Sequence, residues 1–154
     1  MSLFTIFKIS SQGMTAQRER LEAAAANLAN SNTTRTDSGK PYQRRDVLFT
    51  AQDLKEAWNT AQTDAQTSLL DKTNPIPSQT VKSEVALAPE NQFVMRYLPN
   101  HPDADANGYV KFPDVDPLEE TVNMMSAARS FEANATVFNT AKELAKASLN
   151  LGDA

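Results

Sequence analysis

At 154 residues, with 19 acidic against 15 basic side chains and a net charge of −4, the chain is the size of one domain and lacks the bulk positive charge of a polyanion binder. It has no cysteine and one histidine, His101, which excludes disulfides, thiolate metal sites, a cysteine nucleophile and any two-imidazole site. Aromatics make up 7% and alanine supplies much of the 40% hydrophobic fraction, which suits close-packed helices better than a thick core.

The eight prolines (41, 75, 77, 89, 99, 102, 113 and 117) leave residues 1–40 and 118–154 free to be long helices. In the first stretch Leu3, Phe7, Ser10, Met14, Gln17, Leu21, Ala24 and Leu28 alternate at spacings of four and three, a heptad stripe with polar members. Gly13 interrupts it, and Asn30, Ser31, Asn32 and the Asp37-Ser38-Gly39 turn end it. Lys8 breaks the apolar run near the N-terminus and no basic region precedes it, so a cleaved signal peptide is not expected.

Tyr42 to Thr50 is a strand candidate. Leu54, Trp58, Ala61, Ala65 and Leu69 predict a helix over 51–70, followed by the stiff link Asn74-Pro75-Ile76-Pro77. Residues 81–87 and 93–98 alternate as strands, and Pro89-Glu90-Asn91 between them predicts a hairpin. Tyr109 to Phe112 is a further strand. The last helix begins at Asp116 or Pro117, with Glu119 and Glu120 in its first turn. Its stripe reads Leu118, Val122, Met125, Phe131, Ala135, Phe138, Leu144 or Ala145, and Leu149, and Gly152 can stop it.

The expected fold class is therefore α+β. Long antiparallel, coiled-coil-like helices at 1–34 and 118–154 would form one helical domain. A small β-containing insert, 35–117, would lie between them. Matching the helix ends makes facing positions sum to roughly 150, which sets Arg18 opposite Glu132 and Glu22 near Arg129 as flanking pairs.

Several residue groups invite a chemical reading. Asp103, Asp105, Asn107, Gly108 and Val110 match the start of a calcium loop, with Asp114 where a bidentate Glu usually stands. The alternative function is accordingly a calcium-dependent binding module on residues 103–114. Against it, prolines flank the loop where an EF-hand has helices. The competing reading is a turn in which Asp and Asn side chains bond local amides and Gly108 takes positive φ. A hydrolase using His101 has no nucleophile motif to support it. Glu119 and Glu120 point about 100° apart on a helix and read as dipole-complementing charge. Arg44-Arg45 reads as a solvated strand edge or an interface contact. Asn27, Asn30 and Asn32 read either as helix-end capping or as amides that fix register against a partner helix.

One resemblance is specific. Ala26-Asn27-Leu28-Ala29-Asn30, then Asn32-Thr33, then Gly39-Lys40-Pro41-Tyr42 and Arg44, resembles the N-terminal signature of the bacterial flagellar rod and hook axial proteins. The runs His101 to Val110 (with Asp103, Asp105, Gly108 and Tyr109), Pro113-Asp114-Val115, and Met125 to Asn134 (with Arg129 and Glu132) narrow it to proximal-rod members. It covers about residues 1–50 and 97–152, and 51–96 departs from the pattern. The resemblance implies a helical tube of subunits in the periplasmic part of the basal body that transmits motor torque. It implies export through the flagellar type III apparatus without signal cleavage, and partners among copies of itself and other rod proteins. It implies no enzymatic activity, cofactor, nucleic acid or small-molecule substrate, and it makes the calcium-like run part of the signature. The helix stripes expected to carry assembly are Leu3, Phe7, Met14, Leu21, Leu28, Val122, Met125, Phe131, Phe138 and Leu149.

Overall fold

The computed structural model describes residues 3–53, 79–89 and 91–152. The order is α1 (Leu3–Ala29), β1 (Arg45–Asp53), β2 (Gln79–Leu87), β3 (Phe93–Tyr97), β4 (Tyr109–Pro113) and α2 (Pro117–Gly152). Long terminal helices enclose a β-containing middle, so the class is α+β.

Helix α1 runs through Ala23–Ala26 and stops where Asn30 and Ser31 take over its last carbonyls. Asn30 Nδ2 donates to Ala26 O at 2.9 Å and Ser31 Oγ to Leu28 O at 2.9 Å. Helix α2 starts on Asp116, whose carboxylate accepts from Leu118 N–H at 2.9 Å, with Pro117 in the first helical position. Threonines persist inside α2 because their hydroxyls donate to carbonyls four residues back, at Thr121, Thr136 and Thr140.

The middle departs from expectation twice. β1 extends to Asp53, so residues 51–53 are strand where the periodicity predicted helix; the rest of that expected helix and the 74–77 link lie outside the described residues. The hairpin between 81–87 and 93–98 does not form. β2 pairs with β1, and β3 pairs antiparallel with β4, from Phe93↔Pro113 to Tyr97↔Tyr109. Alternation within a strand says which face is buried but does not choose the neighbour. Here Ala88 N–H donates to Arg44 O at 2.8 Å just beyond the ends of β2 and β1. Val94 and Arg96 share a face with Phe112 and Val110, both buried, whereas Met95, Tyr97 and Tyr109 look outward.

The chain folds as two compact units. Among the described residues, one gathers 3–17, 49–53, 79–83 and 130–152; the other gathers 18–48, 84–89 and 91–129. In the first, Ser10, Ala16, Thr80 and Ala141 are buried, and the Phe7 and Phe138 rings meet edge-on with centroids 4.9 Å apart. In the second, the core is Ala23, Ala24, Asn27, Val110, Phe112, Val115, Glu120 and Ala127. Small side chains let backbones approach closely but bury little area.

The helices run antiparallel, in a register slightly off the expected one. In the first unit Phe7 meets Phe138 and Gly13 meets Asn134. In the second, Arg20 Nη2 donates to Asn123 Oδ1 at 2.9 Å. Facing positions thus sum to about 145. Neither expected ion pair forms among the described residues: Arg18 Nε instead donates to Glu22 Oε1 at 2.8 Å along its own helix. A neighbour one turn away on the same helix costs less side-chain ordering than one across an interface.

Candidate assembly surface

A polar junction lies in the second unit, where the end of α1, the start of β1 and the start of α2 meet. Asn27 lies two positions before the end of α1 and is buried. Its amide accepts from Arg45 N–H at 2.8 Å, donates to Arg45 O at 2.9 Å and accepts from Tyr42 O–H at 3.0 Å. One side chain thereby satisfies both backbone groups of the first strand residue, as a neighbouring strand would. Burial raises the Tyr42 hydroxyl's pKa, Arg45 opposes the shift, and Glu120 adds to it.

Arg44, beside this clip, collects three carboxylates. Its Nη2 donates to Glu119 Oε1 at 3.0 Å, and its Nε lies 3.3 Å from Asp46 Oδ1. Nε also lies 3.0 Å from Glu120 Oε1, a charge contact that is not an aligned hydrogen bond. Glu120 is 2% exposed, the largest side chain buried so completely. Burial raises its pKa, and a side-chain hydrogen bond with Asn27 and the Arg44 charge pull it back only partly. Burial lowers the Arg44 pKa, but the Glu119 hydrogen bond and the three carboxylate charges outweigh it and leave the guanidinium more firmly protonated.

The calcium-like run is a turn. Asp105 Oδ1 accepts from Asn107 N–H and Tyr109 N–H, each at 2.9 Å, and Gly108 sits at φ +82°. A Cβ at Gly108 would lie 2.9 Å from Tyr97 Cε2, so glycine is required by space as well as by conformation. Asp103 accepts from the Thr34 hydroxyl at 2.8 Å and faces Arg35 at 3.8 Å. The Asp105 carboxylate is spent on its own turn and that of Asp103 on the loop after α1, and no group of three or more His, Asp or Glu is placed to hold a metal among the described residues.

Helix α2 has two faces. At 100° per residue, Glu120, Ala127, Asn134, Phe138 and Ala141 lie on one side, half-buried or buried. On the opposite side Leu118 is 73% exposed, Val122 58%, Met125 55%, Val137 50% and Leu144 58%. These five fall within an arc of about 120° that also carries Arg129, Thr136, Thr140 and Glu143, so the exposed apolar side chains form two clusters, one over 118–125 and one over 137–144. The single stripe expected from the sequence therefore splits. The step from Met125 to Phe131 is six residues and swings about 240°, carrying the reading from the outward face to the inward one.

The other expected positions fall as follows. Phe7 and Phe138 meet. Met14, Leu21 and Leu28 are half-buried, Phe131 and Leu149 are exposed, and the Leu3 side chain lies outside the described set. Asn30 caps α1, Asn32 is exposed, and Pro41 lines a cleft beside Asp103. His101 packs edge-on to Phe112 with centroids 6.2 Å apart, and Tyr109 likewise to Tyr97 at 5.3 Å. Arg129 and Glu132 are exposed, and Asn134 faces Gly13. The sequence reading missed the Arg44–Glu120 pair. The available signal was Glu120 itself, which shares its helical face with Ala127 and Phe138.

Comparison with known proteins bears on both ends of the chain. Residues 7–35 match the family described as flagella basal body rod protein, and residues 106–151 match the flagellar basal body rod FlgEFG protein C-terminal family. The pair defines the class: rod-type axial proteins, recognised by their terminal segments. The flagellar basal-body rod protein FlgC of Escherichia coli O6:H1 is 39% identical over 152 residues, 99% of each chain. FlgC of Salmonella typhimurium is likewise 39% identical over 152 residues, and FlgC of Bacillus subtilis is 33% identical over 156, each with 99% coverage of both chains. The chain belongs to the FlgC family of flagellar basal-body rod proteins.

Proposed function

We propose that this protein is a structural subunit of the flagellar basal-body rod, with the outward apolar face of α2 as an assembly surface. The observation that carries the reading is that face: Leu118, Val122, Met125, Val137 and Leu144 are exposed, opposite Glu120, Ala127, Asn134, Phe138 and Ala141, which are half-buried or buried. Uncovered apolar clusters of this kind are an interaction surface awaiting a partner. The family supplies the partner class, other copies of the chain and other rod proteins. In this reading the axial helical domain comprises residues 1–34 and 118–154, and 35–117 is the insert. The subunit works in the periplasm, transmits torque, arrives through the flagellar type III apparatus without signal cleavage, and catalyses nothing.

The test is Val122→Asp with Met125→Asp. Both sites are exposed, so the purified variant should keep its helical circular dichroism and its melting temperature. In cells it should fail to enter basal bodies and abolish swimming. Normal incorporation would overturn the assignment of this face. Accumulation outside the cytoplasm in a strain lacking a working type III apparatus would overturn the export route.

A further inference from the structure

We propose that His101 is a pH-sensitive lock that ties the loop after β3 to the loop after α1. Within the second unit, His101 Nδ1 accepts a hydrogen bond from Asp103 N–H at 3.1 Å. A nitrogen that accepts carries no proton, so the geometry requires the neutral ring with its hydrogen on Nε2. The backbone around it is fixed, because His101 N–H donates to Leu98 O at 3.1 Å and Ala104 N–H to His101 O at 3.0 Å. The ring edge rests against Phe112, which Arg96 covers at 4.8 Å.

Asp103 is the pivot. Its N–H is held by His101, and its carboxylate accepts from Thr34 Oγ1 at 2.8 Å and faces Arg35 Nη1 at 3.8 Å. The same carboxylate's Oδ2 lies 4.0 Å from His101 Nδ1, too far for a hydrogen bond in the neutral state. When a proton from solvent adds to Nδ1, the ring has no acceptor left for Asp103 N–H. The new N–H instead points toward a carboxylate already engaged by Thr34 and Arg35. The imidazolium and the Thr34 hydroxyl then compete for the same Oδ2, so charging His101 draws Asp103 away from the 33–41 loop.

Asp105, from its own loop, and Lys111, from β4, line the same cleft of about 350 Å³ as Asp103, Thr34 and Arg35, and Arg96, from β3, lies over the Phe112 ring on which His101 rests. Asp105 is occupied by two backbone amides of its own turn, so it does not substitute for Asp103.

Proton–nitrogen NMR of the full chain from pH 8 to 5.5 tests this, because the protein has one histidine and its ring signals need no assignment by mutation. The amides of Asp103, Thr34 and Arg35 should follow the same titration curve as the His101 ring. Asp103 should also lose protection from hydrogen exchange, after correction for intrinsic rates, by about tenfold at the acidic end. His101→Gln should flatten the Thr34 and Arg35 responses. Thr34→Val should uncouple the 33–41 loop while Asp103 N–H still reports the ring. A His101 ring that titrates while the Thr34 and Arg35 amides stay fixed in the wild type would overturn the proposal. So would persistence of their shifts in His101→Gln.

Discussion

The same two helices are held together by different chemistry in the two units. In the unit that contains the end of α1 and the start of α2, Arg20 Nη2 donates to Asn123 Oδ1 directly between the helices, and residues 44–45 join them indirectly: Asn27 of α1 clips Arg45, and Arg44 gathers Asp46 with Glu119 and the buried Glu120 of α2. In the unit that contains the beginning of α1 and the end of α2, the contacts are a ring edge, a glycine facing an amide, and alanines. Apolar stripes of small residues tolerate slippage, whereas a buried amide with three fixed partners does not. The comparison teaches that the second unit fixes which residues meet through directed polar bonds, whereas the first relies on close contact between small side chains.

The largest effect should come from Arg44→Met. It strips the counter-charge from a carboxylate that is 2% exposed, and breaking such a pair costs about 3 kcal/mol at neutral pH. Urea unfolding followed by circular dichroism measures it. The loss should shrink on acidification, because burial already raises the pKa of Glu120 and protonation removes the orphaned charge. A loss below about 0.5 kcal/mol would show the junction to be an ordinary surface cluster. Asn27→Leu should follow at about 2 kcal/mol, since it leaves the Arg45 N–H and C=O and the Tyr42 hydroxyl without their partner. If it costs no more than Leu21→Ala, the amide does not fix which residues meet.

A smaller and signed effect concerns pH. The folded state holds Glu120 with a raised pKa, so it favours the neutral carboxyl. The stability contributed by this group is fully present below the ordinary carboxylate range and is lost as pH rises through the raised folded value. Glu120→Gln should remove that slope and leave the rest of the pH–stability curve unchanged. A wild-type curve that rises with pH over this window would mean that Arg44 outweighs burial.

The proline map and the heptad spacings were enough to place both long helices, and their antiparallel course followed from taking the insert to bring their ends back together. Period is a property of a segment, and both helices are long. The strand partners were not legible, because alternation in β2 and β3 is equally compatible with pairing to each other or to β1 and β4. The Asn27 clip was half legible. The cluster of asparagines was visible at the helix end, but a side chain that takes the place of a neighbouring strand leaves no spacing to read. Arg44 reads from the sequence as a solvated strand edge or an interface contact, and Glu120 with Glu119 as helix-dipole charge, so nothing in the spacing pairs the two. Adjacent residues on a helix diverge by about 100°, so one glutamate can be buried while its neighbour stays outside.

The smallest predicted effect probes the other side of the comparison, where contact is close and unspecific. A Cβ built at Gly13 would lie 2.9 Å from Asn134 Nδ2 and 3.1 Å from its Cγ. Gly13→Ala gains up to about 1 kcal/mol of helix propensity. It also forces the Asn134 amide, the end of a movable side chain, to swing away. The two terms nearly cancel, so the single variant should lie within about 0.5 kcal/mol of wild type. Asn134→Ala removes the obstacle, and the double variant should exceed the sum of the singles by about 0.5–1 kcal/mol in a double-mutant cycle. That positive coupling would establish that this unit is held by fit between small side chains, which can be improved by simple exchange. Strict additivity would mean that the helices already part at Gly13 in solution, and that the polar junction alone keeps them together.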